Sequence, residues 1–202
     1  MFMKNIILSS IYAGNIEYYS LIYNADNIII DVSENYRKQS FRNRCEIYGA
    51  NGKLNLIIPV TKSNNYTPIN RKKIDYFENW QKIHWKSLES CYRTSPYFEF
   101  YELQLKKLYN NRCIYLSEFN IELHNLILSL LNIEKNIIIK DKYQDNWGET
   151  YSDFRNKINP KIKSARLSNE YSQVFQEKYG FLSNISILDL LFNHGSEAIN
   201  YL

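Results

Sequence analysis

The sequence predicts a mixed α/β fold of the α+β type, with a mixed sheet in the N-terminal third and mainly helices after it. Short apolar runs alternate with a helical pattern early in the chain, an Asn-Gly dipeptide separates two strand-like segments, and long segments with helical periodicity follow. The chain has 202 residues, of which 45% are hydrophobic and 23% are charged. This composition is ordinary for a globular protein, and we expect one domain spanning residues 1–202.

The N-terminal part is predicted to contain two buried strands and the helix that connects them. Apolar runs predict strands at residues 5–10 and 27–32, with a helix at residues 16–24 between them. A β-hairpin follows, because Asn51-Gly52 is the preferred dipeptide for the positive φ angles of a type I′ turn. A two-residue loop then pairs Ala50 with Lys53. This register predicts three apolar pairs: Cys45 with Ile58, Ile47 with Leu56, and Gly49 with Leu54.

Helical periodicity predicts three helices in the middle of the chain, at residues 79–92, 97–109 and 117–131. Pro96 separates the first two, because the residue before a proline avoids the helical conformation. A run of three isoleucines predicts a short strand within residues 135–141.

The C-terminal part is predicted to be irregular at first and helical at its end. Residues 143–171 are rich in polar residues, and we expect a loop or linker there. A last helix is predicted at residues 187–193, where Ser186 and Asp189 resemble a capping box. Gly195 is suited to end that helix in a left-handed conformation.

Charge and cysteine content limit the class of protein. The formal net charge of +4 suits an anionic small molecule and is too small and too dispersed to predict nucleic-acid binding. The three cysteines lie far apart, and this odd count without Cys-x-x-Cys spacing predicts reduced thiols in the cytoplasm. The N-terminal apolar run is too short for a typical signal peptide, and no run approaches the ~20 residues that span a bilayer.

Motifs of several enzyme classes are absent from the sequence. It contains no Gly-x-Gly-x-x-Gly, no Walker A loop and no Gly-x-Ser-x-Gly elbow, and no motif identifies a cofactor. The histidines at positions 84, 124 and 194 lack the spacing of metal ligands, so no metal site is predicted.

The segment at residues 36–45 contains four cationic residues together with amides and hydroxyls. If the first hairpin strand extends upstream, one of its faces is formed by Lys38, Ser40, Arg42 and Arg44. Asn43 then faces the core, where its amide needs a hydrogen-bond partner. This row is either a solvated strand face, with Glu46 neutralising Arg44, or a phosphate or carboxylate site that uses Arg42 and Arg44.

His84 and Trp85 are the next candidates for a functional role. Histidine titrates near neutral pH, so His84 is the candidate catalytic base. Trp80, Leu88 and Cys91 share its helical face, and a hydrogen-bonded core imidazole is the competing interpretation. Trp85 points about 100° away from His84 and either packs on a neighbouring element or stacks on a sugar or base.

Two further segments have competing interpretations. Tyr92, Ser95 and Tyr97 belong to a linker rich in hydroxyls and aromatic rings, which forms either a ligand pocket or a packed helix corner. Asp31 and Glu34 follow a buried strand, where carboxylates either meet a ligand or balance nearby cations such as Arg37 and Lys38.

Several strings, in this order, resemble the WbqC-like protein family. They are Lys38-Gln39-Ser40-Phe41-Arg42-Asn43-Arg44, Leu56-Ile57-Ile58-Pro59-Val60, Trp80-Gln81-x-x-His84-Trp85, Ser95-Pro96-Tyr97-Phe98-Glu99 and Ser186-Ile187-Leu188-Asp189-Leu190-Leu191-Phe192-Asn193. The resemblance covers most of the chain. It departs from the family at residues 9–14, which lack the proline that tends to end the first strand in related proteins.

The resemblance implies an uncharacterised bacterial protein with a link to surface polysaccharide (O-antigen) synthesis. It is compatible with an acyl or aminoacyl transferase that acts on a nucleotide-linked amino sugar, with His84 as the base. The alternative is a non-catalytic binding module for an anionic ligand or a partner protein. The candidate substrate-binding residues are Lys38, Gln39, Ser40, Arg42, Asn43, Arg44, Trp85, Tyr92, Ser95 and Tyr97.

Overall fold

The computed structural model describes residues 5–64, 66–142, 144, 147–148, 150–162, 164 and 169–202. The elements in chain order are β1 (Asn5–Ser9), α1 (Ile16–Asn24), β2 (Asn27–Asp31), β3 (Arg44–Gly49), β4 (Gly52–Ile57), α2 (Trp80–Tyr92), α3 (Phe98–Asn110), α4 (Leu116–Leu130), β5 (Ile137–Lys140), β6 (Ser152–Asp153), α5 (Gln176–Tyr179) and α6 (Ile187–His194). Short 3₁₀ segments occur at Ile69–Arg71 and Gly195–Tyr201. No helix in these ranges is both long and apolar enough to cross a bilayer.

A parallel sheet with the strand order β5-β2-β1-β6 forms the centre of the fold. Its central strands β1 and β2 are apolar runs buried on both faces, as parallel strands covered by helices generally are. Ile7 pairs with Ile29 of β2 and with Asp153 of β6. Because the strands are parallel, their carboxyl ends meet at one edge of the sheet, at Ser9, Asp31, Lys140 and Asp153. Polar residues follow the apolar strands at that edge, which places the candidate site there.

The predicted mixed α/β class is confirmed, and its strands are divided between two sheets. β3 and β4 form a separate antiparallel hairpin. Its predicted turn was wrong, because Gly49 pairs with Gly52 and the loop is Ala50-Asn51. Only Gly52 has a positive φ (93°) here, whereas a type I′ turn needs two such residues. The register shift of two residues leaves Cys45 and Ile47 buried, as predicted.

Aromatic side chains pack the middle helices against one another. Trp80 of α2 contacts Phe119 of α4 and Tyr109 of α3, with ring centroids 5.1 and 6.4 Å apart. The helical periodicity predicted these helices with ends that differ by about one residue. Asn79 caps α2, since its side chain accepts a hydrogen bond from the backbone N–H of Lys82.

The short strand β6 was not predicted, because its two residues lie in a polar segment without strand periodicity. Pairing with β1 alone gives these residues their extended conformation. The rest of the predicted irregular region, residues 143–171, falls partly outside the described residues.

The bounds of α6 lie within one residue of the prediction, but its caps differ in detail. The Ser186 hydroxyl caps the backbone N–H of Leu188, whereas the Ser186 N–H donates to the backbone oxygen of Glu46, so Asp189 does not complete a capping box. Gly195 ends the helix with the predicted positive φ, 60°, but its ψ of −136° lies outside the left-handed helical region. The α-carbon of Gly195 lies under the ring of Tyr97, so that an added Cβ would be 2.6 Å from Tyr97 Cδ1. Gly195 is therefore required both by its backbone conformation and by this close approach.

We expect Gly195→Ala to destabilise the protein more than Gly180→Ala. Both glycines have positive φ, but a Cβ at Gly180 would meet no atom within 4 Å. Backbone strain costs about 1–2 kcal/mol at either position, and overlap with Tyr97 adds roughly 1–3 kcal/mol at position 195. Urea denaturation of the two variants measures the difference, and equal losses would contradict the packing of Tyr97 on Gly195.

Candidate functional site

Arg155 joins two strand ends at the carboxyl edge of the parallel sheet. Its Nη1 donates to Asp31 Oδ2 at 2.8 Å, and its Nη2 donates to Asp153 Oδ2 at 2.6 Å. The other oxygen of Asp31 accepts hydrogen bonds from the backbone N–H and the hydroxyl of Ser33. Asp31 is fully buried, and its charge is therefore neutralised and hydrogen-bonded inside the protein.

Arg42 forms a second buried ion pair, with Glu34. Its Nη2 lies 2.6 Å from Glu34 Oε2 and its Nε lies 3.2 Å from Glu34 Oε1, which is a two-point contact. Arg42 Nη2 also donates to the Ser9 hydroxyl and to the backbone oxygen of Arg155. Burial raises the pKa of Glu34, and the charge and hydrogen bonds of Arg42 oppose that shift. This guanidinium has its partners within the protein.

Asp31 ends β2 and Glu34 follows it. Both carboxylates balance cations that differ from those the sequence analysis named. Of the two interpretations of Asp31 and Glu34, the structure shows charge balance, with Arg155 and Arg42 in place of Arg37 and Lys38. Arg155 had no local sequence signal, because it meets Asp31 only through the parallel pairing of β6.

The predicted row of side chains at positions 38, 40, 42 and 44 does not exist. The chain turns before β3, with a φ of 56° at Gln39 and a hydrogen bond from the Ser40 hydroxyl to the backbone oxygen of Arg37. This turn directs Arg42 inward to Glu34, whereas Lys38 is exposed. The prediction assumed that the hairpin strand extends upstream to residue 38. It was wrong because side chains alternate between two faces only in a strand, and this segment is an irregular turn.

The structure decides two predictions about residues near Arg42, the orientation of Asn43 and the pairing of Glu46 with Arg44. The buried amide of Asn43 donates to the backbone oxygen of Ile58 at 2.8 Å, which confirms that it faces inward to a partner. Glu46 pairs with Lys53 at 2.9 Å, and the described ion pairs include none between Glu46 and Arg44. Arg44 therefore keeps an uncompensated charge.

Arg44 is a half-buried cation at the start of β3. Its Nε is inaccessible to water and has no hydrogen-bond partner among the described residues. The ion pairs found within those same ranges do not include its guanidinium either. A buried donor without an acceptor is rare in folded proteins and calls for a physical explanation.

Tyr36 connects Arg44 with two lysines. Burial raises the pKa of the Tyr36 phenol, and the positive charges of Arg42 and Arg44 oppose that shift. Lys72 Nζ lies 4.9 Å from the centroid of the Tyr36 ring. Burial lowers the pKa of Lys72, and the ammonium of Lys38 lowers it further. We refer to Tyr36, Lys38, Arg44 and Lys72 as the Tyr36 cluster.

The Tyr36 cluster is cationic, and its lysine and arginine side chains carry N–H groups that can donate hydrogen bonds to a ligand. Lys72 Nζ donates to the backbone oxygen of Thr61 and to the Ser63 hydroxyl, which fixes its position without neutralising it. In the described part of the chain, no carboxylate forms an ion pair with Lys38, Arg44 or Lys72. Arg44, Lys72 and the exposed Lys38 can bind an anion by charge-assisted hydrogen bonds.

His84 lies in the core and is 4% exposed. Its Nδ1 is 2.9 Å from the hydroxyl of Tyr12, and its ring packs against Trp80 at 5.1 Å between centroids. Burial lowers the pKa of His84 to about 4, against a smaller opposing effect of the Ile57 backbone. None of these contacts involves Arg42 or Arg44, and they favour the interpretation of His84 as a core imidazole.

The linker between α2 and α3 has the contacts of a packed helix corner. Tyr92 is fully buried, its hydroxyl donates to Asp189 Oδ1, and the Ser95 hydroxyl donates to the Tyr92 backbone oxygen. Tyr97 packs on Gly195. Trp85 is 8% exposed and packs against Phe98, with ring centroids 6.0 Å apart.

Asp189 carries a buried carboxylate that the capping-box prediction did not anticipate. It accepts hydrogen bonds from the hydroxyls of Tyr92 and Tyr171 at 2.9 and 2.6 Å, and from the Gln173 amide at 2.9 Å. Burial raises the pKa of Asp189 to about 6, because these neutral donors only partly replace the lost hydration. The group joins residues 171–173 to α6.

Within the described ranges, no three His, Cys, Asp or Glu side chains are arranged to hold a metal ion. The fold and site define an α/β protein with a parallel sheet, two buried ion pairs at its carboxyl edge, and an uncompensated cationic cluster beside them.

The chain belongs to the WbqC-like protein family, whose model matches residues 10–155. The resemblance predicted from the motifs is thereby confirmed. An uncharacterised protein of Mycobacterium tuberculosis, Rv1507c, is 27% identical to this chain, and the alignment covers 92% of this chain and 91% of that protein. No solved structure matches the chain.

We expect Glu34→Gln to be strongly destabilising, because it leaves the buried Arg42 guanidinium without a countercharge. Removing one partner of such a pair costs about 3–5 kcal/mol. Glu46→Gln is the control, since it breaks the more exposed pair with Lys53 and costs no more than about 1 kcal/mol. Chemical denaturation measures both. The double variant Glu34→Leu/Arg42→Met should lose less than Glu34→Gln, and the opposite order would contradict a charge-based loss.

Asp189 should make stability depend on pH with a defined sign. Its pKa is about 6 in the folded protein and 3.8 as a model group, so the folded state holds this proton more tightly. The stabilisation from this proton is complete below pH about 4 and is lost as pH rises through about 6. Asp189→Asn removes that dependence. The unfolding free energy of the variant relative to the wild type should therefore rise by about 3 kcal/mol between pH 4 and 7.

Denaturation of both proteins across this pH range measures the difference, in which the contributions of His84 and His124 cancel. A relative stability that does not change with pH would show that the Asp189 carboxyl has an ordinary pKa.

Proposed function

We propose that the protein binds an anionic small molecule through the Tyr36 cluster. The observation that carries this proposal is Arg44, whose half-buried guanidinium forms no ion pair in the described structure. Arginine presents a planar fork of donors that matches phosphate and carboxylate oxygens. The group that Arg44 lacks is therefore an anionic acceptor.

The electrostatics of the cluster support the same conclusion. Lys38 lowers the pKa of Lys72, which means that two like charges are held near each other at a cost in free energy. Elsewhere at this edge, each buried guanidinium has a carboxylate: Glu34 for Arg42, and Asp31 with Asp153 for Arg155. The Tyr36 cluster departs from that pattern. A bound anion relieves the repulsion and supplies the missing acceptor.

A diphosphate is the ligand group that fits this set of donors best. It offers several oxygens and at least two negative charges to one guanidinium and two ammonium groups. The family resemblance, through its link to surface polysaccharide synthesis, supports a nucleotide-linked amino sugar as the molecule that carries the diphosphate. Acyl or aminoacyl transfer to the sugar amine would then be the reaction.

The geometry favours the non-catalytic binding module over the transferase. A transferase needs a base beside the bound amine, and His84 was the candidate for that role. Its imidazole is 4% exposed, and its Nδ1 is hydrogen-bonded to Tyr12. A base should lie within hydrogen-bond reach of the proton it removes. The transferase function is therefore supported by the family resemblance alone. The experiment described next distinguishes it from binding without catalysis.

We expect Arg44→Gln to weaken binding of uridine diphosphate glucosamine by about tenfold or more, because a charge-assisted contact is lost. Isothermal titration calorimetry measures this change. Arg93→Gln is the matched control, since Arg93 is 57% exposed and pairs with Glu89 of α2. The affinity of this variant for the nucleotide sugar should stay within about twofold of the wild type. Glucosamine without the diphosphate should bind neither protein.

Equal affinities of Arg44→Gln and the wild type would remove the proposal. Mass spectrometry of the bound sugar after addition of acyl and aminoacyl donors separates the two functions. Binding without a modified amine supports the binding module. Formation of an amide that is abolished in Arg44→Gln supports the transferase.

A further inference from the structure

A second cationic cavity, of about 440 Å³, lies between the N-terminal half of α2 and the end of α3. Its volume is within the range of small-molecule sites. Four cations line it: Lys82, Lys86, Lys106 and Arg112. It shares no residue with the Tyr36 cluster. We refer to it as the α2–α3 cavity.

The positive charge of the α2–α3 cavity is poorly compensated. Among the described residues, Glu89 is the only carboxylate that lines the cavity, and it pairs with Arg93, which does not line it. Lys106 lies 3.7 Å from Glu102, a long and exposed contact. Among the described ion pairs, none involves Lys82, Lys86 or Arg112. A concave site lined by one sign of charge concentrates counter-ions.

Aromatic rings hold two of these cations in place. Lys106 Nζ lies 5.5 Å from the Trp85 ring centroid, and the Arg112 guanidinium lies 5.0 Å from the Tyr76 ring centroid. Trp85 also lines the cavity, is 8% exposed, and has an indole N–H without a hydrogen-bond partner in the described structure.

We propose that the α2–α3 cavity is a second anion-binding site, which takes a phosphate-bearing small molecule. Phosphate groups present more oxygens and more charge to four cations than a single carboxylate does. Lys82 and Lys86 bind the phosphate from α2, Arg112 binds it from the opposite wall, and Lys106 moves from the Trp85 ring toward the anion. That movement changes the surroundings of the indole and gives the site an optical signal.

Pyrophosphate titration of the whole chain, followed by tryptophan fluorescence, tests this proposal. The fluorescence change should be abolished in Trp85→Phe, because Trp80 and Trp147 do not line the cavity. Lys86→Gln should raise the Kd for pyrophosphate about tenfold, through loss of one charge-assisted contact. Lys107→Gln is the matched control on α3, exposed and outside the cavity, and should leave Kd within about twofold.

Further measurements distinguish binding in the α2–α3 cavity from binding at the Tyr36 cluster. Arg44→Gln should retain the Trp85 signal with unchanged Kd, and citrate should bind at least tenfold more weakly than pyrophosphate. A signal lost in Arg44→Gln would assign the response to the Tyr36 cluster and overturn the proposal. Equal Kd values for Lys86→Gln and Lys107→Gln, or equal binding of citrate, would also overturn it.

Discussion

Neutralisation of the charges buried at the carboxyl edge of the parallel sheet is the constraint on which the rest of the structure depends. Arg42 pairs with Glu34, and Arg155 pairs with Asp31, while their side chains are less than a tenth exposed. A buried charge without a partner is strongly destabilising, so both pairs must form when the protein folds. The pair of Arg42 with Glu34 joins the turn before β3 to the loop after β2, and the pair of Arg155 with Asp31 joins the segment after β6 to the end of β2.

The parts of the fold that local chemistry determines could be predicted from the sequence. The helix α1 begins and ends at the predicted residues, and the caps at Ser186 and Gly195 are present, because periodicity and capping depend on neighbouring residues. The strand β6 and the hairpin register could not be predicted. β6 is extended only because β1 pairs with it, and the register depends on Gly52 alone having a positive φ.

The candidate site shows the same division between local and long-range information. The density of cations before the hairpin identified Arg44, but alternation along a strand could not reveal that Arg42 turns inward to Glu34. Lys72 and Arg155 had no local signal, since each reaches the site through contacts between distant segments. For His84, the chemistry of the imidazole suggested catalysis. Its burial between Tyr12 and Trp80 favours a role in core packing instead.

The two proposed anion sites share one physical feature, which is an excess of positive charge over negative charge among the described residues. On α2, Lys82 and Lys86 are four residues apart, a spacing at which two cations destabilise an isolated helix by a few tenths of a kcal/mol. Around Tyr36, burial adds to the repulsion between Lys38 and Lys72. The chain neutralises Arg42 and Arg155 with its own carboxylates. The excess of positive charge among the described residues of the two sites is the reason why we propose that anions bind there.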